Sequence, residues 1–191
     1  MNSFFAFISR MKFINRWALM RNTSSENLSM HSHEVAVIAH ALAVIGNRRL
    51  SRGYDADKAA VIALYHDASE ILTGDMPTPV KYHNAVLKGA YKSLENSANE
   101  RLLEMLPEDM RADYEPIFKH TDNELLKLVK AADKISALIK CAEEHKMGNG
   151  EFDSAYRTIE RTIAGLDCEE AEIFMAEFFD SYSKTLDELN I

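Results

Sequence analysis

The stretch from His66 to Asp75 holds one imidazole and three carboxylates, directly after an apolar run (AAVIALY, 59–65) that is typical of a buried helix. On a helix, His66 and Glu70 are four residues apart and Asp67 and Glu70 three, so these side chains share one patch. Clustered charges are expensive to bury. The stretch therefore needs either solvent or a cation. Taken alone, the His-Asp pair is best explained by a half-exposed helix edge.

Two further residues favour the cation. His31 lies in the first turn of a predicted helix, and Asp133 interrupts the apolar stretch LVKAADKISALI, where a salt bridge to Lys130 or Lys134 is the alternative explanation. Together with the His-Asp pair they supply two imidazoles and two carboxylates from three helices, a four-point cage in a helical bundle. This ligand set suits Mn, Fe, Co, Ni or Zn rather than Mg or Ca, which prefer oxygen ligands.

Length and charge restrict the class of protein. The chain of 191 residues suffices for one domain with a proper core. Its formal net charge of -8 argues against nucleic acid as a partner. Residues 1–25 differ, since they hold four basic residues and no acidic one, and could meet an anionic small ligand. No membrane-spanning run is expected. The two cysteines lie far apart and form no CxxC motif, which indicates a reduced, cytoplasmic protein.

The apolar residues recur with a helical period, and no credible alternating strand appears. In the first half of the chain the pattern predicts a short helix near residues 4–14 and a helix over about 30–46, with Ser29 as N-cap and Gly46 as stop. A third helix is expected from Asp55 or Asp57 to Gly74. The prolines that follow make the TGDMPTP stretch an ordered turn.

In the second half, helices are expected over about 83–106, 151–165 and 167–189, and a further long helix is expected to end at Met147. A segment opened by Pro107 and a short piece around Pro116 precede the long helix. Thr121 and Glu124 form a capping box for the long helix. The predicted fold class is all-α, a single HD-type helical bundle over residues 1–191 with a metal site between helices. Its metal-site core spans about 26–145, and its closing helices span about 151–189.

The order His, His-Asp, Asp is the pattern of the HD-domain metal-dependent phosphohydrolases. A closer similarity runs through SRxKxINRWxLMRN at 9–22, ENxSxHSxxVAxxAHALA at 26–43 and YHDASEILTGDMPTPVKY at 65–82, which resemble the bacterial HD-domain 5′-deoxynucleotidases. The similarity is strongest over residues 4–82 and weaker after about 145. The resemblance implies an all-helical homodimer that hydrolyses deoxyribonucleoside 5′-monophosphates to deoxynucleoside and phosphate with a divalent transition metal.

The resemblance also implies roles for single residues. Glu70, Asp75 and Arg16 match the catalytic positions of the family. One ion among Co, Mn, Zn, Ni, Fe and Cu would be held, with Co or Mn favoured for activity. Its ligands would be His31, His66, Asp67 and Asp133. The substrate-binding positions would be Arg16, Trp17, His31, Asp75, Met76, Pro77, Thr78 and Asp133.

The implied chemistry suits a phosphate monoester, whose dianion repels nucleophiles. A bound metal activates water near neutral pH for attack on phosphorus and neutralises a phosphoryl oxygen. Arg16 suits a bidentate grip on the other oxygens, and Glu70 could orient the attacking water or move its proton. Asp75 could protonate the leaving 5′ oxygen or bind the sugar 3′-hydroxyl. Trp17 could be a wall that leaves no room for a 2′-hydroxyl, or a core anchor.

Two other functions stay open. An HD phosphohydrolase could act on a ribonucleotide or a signalling nucleotide, although the matches at Trp17 and in TGDMPTP weigh against this. A non-catalytic nucleotide-binding HD module is the other alternative, but it should have lost Glu70, Asp75 or Arg16, and all three are present. The expected partners are deoxyribonucleoside 5′-monophosphates and a second copy of the chain, with no nucleic acid and no membrane.

Overall fold

The helical period of the sequence is reproduced by the backbone of the computed structural model, which describes residues 2–81, 83–119 and 122–189. Within these ranges no β-strand forms, apart from an isolated antiparallel bridge between Asn15 and Asn27. The all-α prediction is confirmed. The helices are α1 (Phe4–Ile8), α2 (Leu28–Arg49), α3 (Ala56–Tyr65), α4 (Glu70–Thr73), α5 (Thr78–Lys81), α6 (Ala85–Glu104), α7 (Glu108–Phe118), α8 (Asn123–Lys146), α9 (Asp153–Ala164) and α10 (Glu169–Glu177). Short 3₁₀ turns span Ser9–Phe13, Gly150–Phe152, Phe179–Ser183 and Asp187–Leu189.

Two apolar clusters hold the helices together. The larger one is built on α2, which packs most extensively against α3 and α8, and the apolar faces of α2 and α8 are buried there. The smaller cluster joins Phe4 of α1 to Leu102, Leu106 and Phe118 near α6 and α7, and it includes Ala68. Ala68 follows the His-Asp pair directly, so that pair lies where the two clusters meet.

The start and end of α2 differ from the prediction. Asn27, not Ser29, is the N-cap, and its side chain accepts a hydrogen bond from the amide of Met30 at 3.1 Å. Gly46 does not stop the helix, which continues to Arg49. Gly46 is needed for packing instead, because a Cβ there would lie 2.6 Å from the ring of Tyr54.

The helix predicted up to Gly74 is interrupted at residues 66–69, between α3 and α4. The imidazole Nδ1 of His66 lies 2.7 Å from the carbonyl oxygen of Ala63 and donates to it, so the side chain takes the acceptor that would continue the helix. The following amides bond three residues back, as Glu70 does to Asp67 at 3.0 Å. This tight turn replaces the helical spacing on which the shared patch was predicted.

Later boundaries also needed correction. Pro116 lies inside α7 rather than in a separate piece, and the N-cap of α8 is Asp122, which accepts from the amide of Leu125. The predicted capping box at Thr121 lies outside the described residues. The last predicted helix ends at Glu177 and continues as 3₁₀ turns, because the polar residues beyond it (DSYSKT, 180–185) favour turns over helix.

Helix α2 is long and apolar enough, by length and composition, to cross a membrane, which corrects the expectation that no such run exists. That criterion is also met by core helices of soluble proteins, and 56% of the apolar window is buried inside the protein. Its buried residues include His31.

Candidate metal and phosphate site

The segment before α2 is fastened to the start of that helix. The amide of Arg16 donates to the carbonyl of Glu26 at 3.0 Å, and the amide of Leu28 donates to the carbonyl of Ile14 at 3.0 Å. This short antiparallel pairing brings the only basic residue of the INRW motif beside the first turn of α2, where His31 lies. Residues far from the His-Asp turn in sequence thus reach the same place.

The four predicted metal ligands converge on one point. Nε2 of His31 lies 3.1 Å from Oδ1 of Asp133 and 3.6 Å from Oδ2 of Asp67. Nε2 of His66 lies 3.2 Å from the same Oδ2. Ligand atoms of His31, His66 and Asp133 all lie within 4.8 Å of one another, a separation that one metal ion can span. The cage comes from the first turn of α2, the turn after α3 and the middle of α8.

The ring nitrogens of His66 are arranged as a metal ligand requires. Its Nδ1 donates to the carbonyl of Ala63, which leaves the lone pair on Nε2. That Nε2 is buried, lies 3.2 Å from Oδ2 of Asp67, and makes no hydrogen bond within the described part of the chain. A buried polar atom without a partner costs about 1–3 kcal/mol. A divalent transition ion would satisfy it, so the residues fit such a group.

Asp133 makes both kinds of contact considered for it, one toward the proposed metal ligands and one with a neighbouring lysine. Its Oδ1 faces His31, while its Oδ2 accepts a hydrogen bond from Nζ of the neighbouring Lys134 at 2.9 Å. Burial opposes the ionised carboxylate, but the close contact with the His31 imidazole and the charge of Lys134 outweigh it, and the pKa of Asp133 falls well below its usual value. Asp133 is therefore held as a carboxylate, the form that binds metal.

Arg16 and Trp17 are linked through one carboxylate. Oε2 of Glu26 accepts from Nε of Arg16 at 3.1 Å and from Nε1 of Trp17 at 2.8 Å. Nη1 of Arg16 also reaches Oδ2 of Asp67 at 3.4 Å. Two of the five guanidinium N–H groups are thereby used, and three stay available for an anion. Glu26 is a site residue that the sequence analysis missed, because nothing in its spacing marks it.

The backbone at Trp17 is strained. Its φ is 58°, in the left-handed region, which costs a residue with a side chain of order 1–3 kcal/mol. Its carbonyl accepts from the amide of Met20 and from the side chain of Asn22, and its ring packs against Phe152 with centroids 5.3 Å apart. The half-buried indole is thus held in one orientation beside Arg16.

Glu70 and Asp75 complete a cluster with more negative than positive charge. Glu70 is 7% exposed, and its Oε2 has no hydrogen-bond partner among the residues that the structure describes. Burial, together with the charges of Asp67 and Asp75, raises the pKa of Glu70 to about 9. Burial also raises the pKa of Asp75. This electrostatic imbalance is what a bound cation would relieve.

The turn after α4 is anchored on α6. Gly74 has a φ of 76°, which favours glycine, and its carbonyl accepts from the hydroxyl of Tyr91 at 3.3 Å. Of the predicted substrate residues in this turn, Met76 and Pro77 are half-buried and Thr78 is exposed. In the described part of the chain, no hydrogen bond or ion pair joins these three side chains to the metal ligands. Their substrate role stays a prediction.

A comparison with protein families decides the relationship. The model of the 5′-deoxynucleotidase YfbR-like family matches residues 3–182 of this chain. The chain belongs to that family. This confirms the resemblance read from the INRW, AHALA and YHDASE motifs.

Curated proteins of the YfbR-like 5′-deoxynucleotidases align along the whole chain. A 5′-deoxynucleotidase from Photorhabdus temperata is 47% identical, with 100% of this chain and 98% of that protein covered. One from Yersinia pestis (strain Pestoides F) is also 47% identical with the same coverage. The alignments extend into the C-terminal part, where the motifs alone are weak.

Solved structures show the same fold at greater distance. An HD-domain phosphohydrolase from Listeria innocua superposes with a TM-score of 0.80 at 22% identity, covering 94% of this chain and 88% of that one. The HD phosphohydrolase DatZ of cyanophage S-2L, which was solved with dA and one catalytic Zn²⁺ ion, superposes with a TM-score of 0.67 at 20% identity, covering 94% and 96%. The HD-type helical fold predicted from the sequence is confirmed.

Proposed function

We propose that this YfbR-like protein is a metal-dependent 5′-deoxynucleotidase that converts deoxyribonucleoside 5′-monophosphates to deoxynucleoside and phosphate. The observation that carries the proposal is the buried Nε2 of His66, which has no hydrogen-bond partner in residues 2–81, 83–119 and 122–189. It lies beside Oδ2 of Asp67, and the guanidinium of Arg16 contacts the same oxygen. A cation site and an anion site therefore share one wall, as a metal-assisted phosphatase requires. The names of the curated relatives support the same activity.

The proposed ligands of one divalent transition ion are His31, His66, Asp67 and Asp133. When bound, the metal activates water and neutralises charge on a phosphoryl oxygen. Two imidazoles and two carboxylates suit Co, Mn, Zn, Ni, Fe or Cu, and we propose Co or Mn as the ions that give the highest activity. The catalytic Zn²⁺ ion of DatZ, a protein of the same fold, supports a transition metal as the proposed ion.

Arg16 is proposed to bind the phosphate. Burial alone would lower the pKa of its guanidinium, but Asp67 and Glu26 overcome this effect and raise it, so the charge is permanent. The side chain is held at two points and keeps three N–H groups for phosphoryl oxygens. A grip of this kind fixes the phosphorus relative to the metal ligands and stabilises the charge that develops during hydrolysis.

Glu70 and Asp75 are proposed to handle protons. Attack of water on phosphorus forms one P–O bond and breaks the bond to the 5′ oxygen, which leaves with a proton. The free Oε2 of Glu70 can orient the attacking water or accept its proton. The raised pKa of Asp75 supports a role as the acid that protonates the 5′ oxygen, while contact with the 3′-hydroxyl is the alternative role.

A panel of ribo- and deoxyribonucleoside 5′-monophosphates, assayed for phosphate release with added Co, Mn, Zn or Mg, tests the function. We expect release from the deoxy series with broad tolerance of the base. Preference for ribonucleotides or for a signalling nucleotide would overturn the substrate assignment but leave a phosphohydrolase. No release from any nucleotide, by protein shown to contain metal, would favour the non-catalytic module.

Trp17 is proposed to select the sugar. Trp17→Ala should lower the preference for deoxy over ribo substrates by about tenfold or more, because a rigid ring that blocks the 2′-hydroxyl is removed. Arg16→Ala is the matched comparison and should depress both series together by about 10²–10³ in kcat/KM, since phosphate is common to them. Trp17→Phe, which keeps a ring but loses the bond to Glu26, separates sterics from anchoring. An unchanged ribo/deoxy ratio with lower stability would make Trp17 a core anchor.

We further propose a cytoplasmic homodimer that binds neither nucleic acid nor membrane. Both cysteines, Cys141 and Cys168, are buried free thiols, as suits a reducing compartment. Helix α2 exposes Met30, Val37 and Val44 at intervals of seven residues, an apolar stripe that a second copy could cover. Light scattering coupled to size exclusion tests this proposal, and a monomer at micromolar concentration would contradict it.

A further inference from the structure

The second ring nitrogen of His31 starts a chain of hydrogen bonds that leads away from the metal ligands. Nδ1 of His31 lies 3.1 Å from Oγ of Ser136, and that hydroxyl donates to Oε2 of Glu34 at 2.6 Å. His31 is 1% exposed and Ser136 is fully buried. Glu34 follows His31 by three residues on α2, and Ser136 follows Asp133 by three on α8. Glu34 and Ser136 thus each lie about one helical turn after a proposed metal ligand, and their side chains meet.

The direction of this chain determines which nitrogen of His31 carries the proton. A serine hydroxyl has one proton, and Ser136 gives it to Glu34. The oxygen of Ser136 can then only accept from His31, so Nδ1 must be the protonated nitrogen. The lone pair is left on Nε2, the atom that faces Asp133 and Asp67. Oε1 of Glu26 also lies near Nδ1, but at 3.9 Å it is beyond hydrogen-bond range.

We propose that Ser136 and Glu34 are positioning residues that hold His31 in the tautomer and orientation that bind metal. The inference rests on the proposed metal site and adds two residues that touch neither the ion nor the substrate. His66 has its counterpart in the carbonyl of Ala63, so each imidazole of the cage is oriented through its Nδ1. A ligand histidine without such a partner typically loses about 10–100-fold in metal affinity.

The chain contains matched controls for both residues. Ser32 is also buried, directly follows His31, and its hydroxyl has no hydrogen-bond partner among the described residues. Ser32→Ala therefore deletes the same atoms next to the same ligand without touching the proposed chain. Glu143 lines the same cavity of about 550 Å³ as Glu34 and carries the same charge, so Glu143→Ala controls for the loss of one negative charge.

The test is a titration of metal-free full-length protein with Co²⁺ alone, followed by visible absorption against a competing chelator. Ser136→Ala should weaken cobalt binding by about 10–100-fold relative to Ser32→Ala. Glu34→Ala should weaken it in the same direction relative to Glu143→Ala. The double variant should bind about as well as Ser136→Ala alone, because the two residues act in series.

Equal cobalt affinity of Ser136→Ala and Ser32→Ala, and of Glu34→Ala and Glu143→Ala, would overturn the inference while leaving the metal site intact. If the wild-type protein took up no cobalt, the proposed metal site would itself be wrong, and the positioning role with it. Should Ser136→Ala fail to fold, the half-buried Glu34 still gives the comparison with Glu143→Ala.

Discussion

Helix α8 carries two sets of buried ionisable groups that differ in how completely they are satisfied. At Glu144, which is fully buried, the carboxylate accepts from Nζ of Lys140, from the amides of Thr23 and Ser24, and from the side chains of Thr23 and Asn149. Lys140 also donates to the carbonyl of Ser24. Around Asp133, about three turns before Glu144, a buried imidazole nitrogen and a buried carboxyl oxygen have no hydrogen-bond partner among the described residues.

The difference teaches what each set is for. The Lys140–Glu144 pair closes the segment 21–24 onto α8, and that segment continues from the INRW motif that carries Arg16. It is complete without any ligand, as a structural ion pair must be. The cluster around Asp133 keeps charge and lone pairs unsatisfied at a cost in stability, which a protein tolerates where a ligand will supply the missing partner.

The largest effect is expected from removing a proposed metal ligand. Asp133→Ala, like Asp67→Ala, should abolish both metal binding and phosphate release, because a cage of four loses one corner. The stability of the metal-free protein should change little or rise, since the negative charge of the cluster falls and Lys134, whose side chain is 42% exposed, can turn to solvent. Elemental analysis and urea unfolding of the same samples check both results. Retained metal in either variant would break the proposed cage.

Replacing Glu70 should separate binding from chemistry. Glu70→Gln is expected to keep the metal but lose rate by about 10²–10⁴, the usual contribution of a proton-transfer group. Its pKa adds a second result. Folded-state burial beside Asp67 and Asp75 raises the pKa of Glu70 from 4.5 to about 9, so the native state keeps a proton that the unfolded state has lost. The metal-free wild type should therefore lose stability as pH rises from about 4.5 to about 9.

Glutamine is neutral in both states, so Glu70→Gln should remove this part of the pH dependence. The stability of the variant relative to that of the wild type should therefore be higher at pH 8 than at pH 5. Urea titrations of both metal-free proteins at the two pH values measure the difference. If Glu70→Gln contained no metal when purified under conditions in which the wild type contains it, Glu70 would instead be a metal ligand.

The smallest effect on chemistry, and a clear one on stability, is expected at Glu144. Glu144→Ala leaves the ammonium of Lys140 buried without its counter-charge and should destabilise the fold by about 3–5 kcal/mol. Metal stoichiometry per folded molecule should be unchanged, in contrast to Asp133→Ala on the same helix. Chemical unfolding and elemental analysis of the pair give the contrast directly. A stability loss as small as that of a surface substitution would show that the two sets do not differ as described.

Sequence reasoning succeeded for features that depend on residue type and spacing. The helical period identified the all-α class, which is confirmed. The structure also brings His31, His66, Asp67 and Asp133 together, although their role as metal ligands stays a prediction. The interruption at residues 66–69 was missed, because no helix-breaking residue marks it. It depends instead on the hydrogen bond from the His66 side chain to a backbone carbonyl.

Supporting residues were harder to predict than ligands. Glu26, Glu34 and Ser136 act through contacts across about 10 to 105 positions of sequence, and none differs in type from an ordinary helix or loop residue. Ser136 lies in the same apolar stretch as Asp133 (LVKAADKISALI, 128–139). A serine in such a stretch is a usable signal, since a buried hydroxyl needs a partner, but the partner becomes known only with the fold.

The most direct test of the central claim is phosphate release from a deoxyribonucleoside 5′-monophosphate by protein stripped of metal and then reloaded. Chelation should abolish release, and Co or Mn should restore it better than Mg, because two imidazoles face the ion. The metal content of each sample is verified by elemental analysis. Full activity in protein shown to contain no metal would contradict the claim that His31, His66, Asp67 and Asp133 form a catalytic metal site.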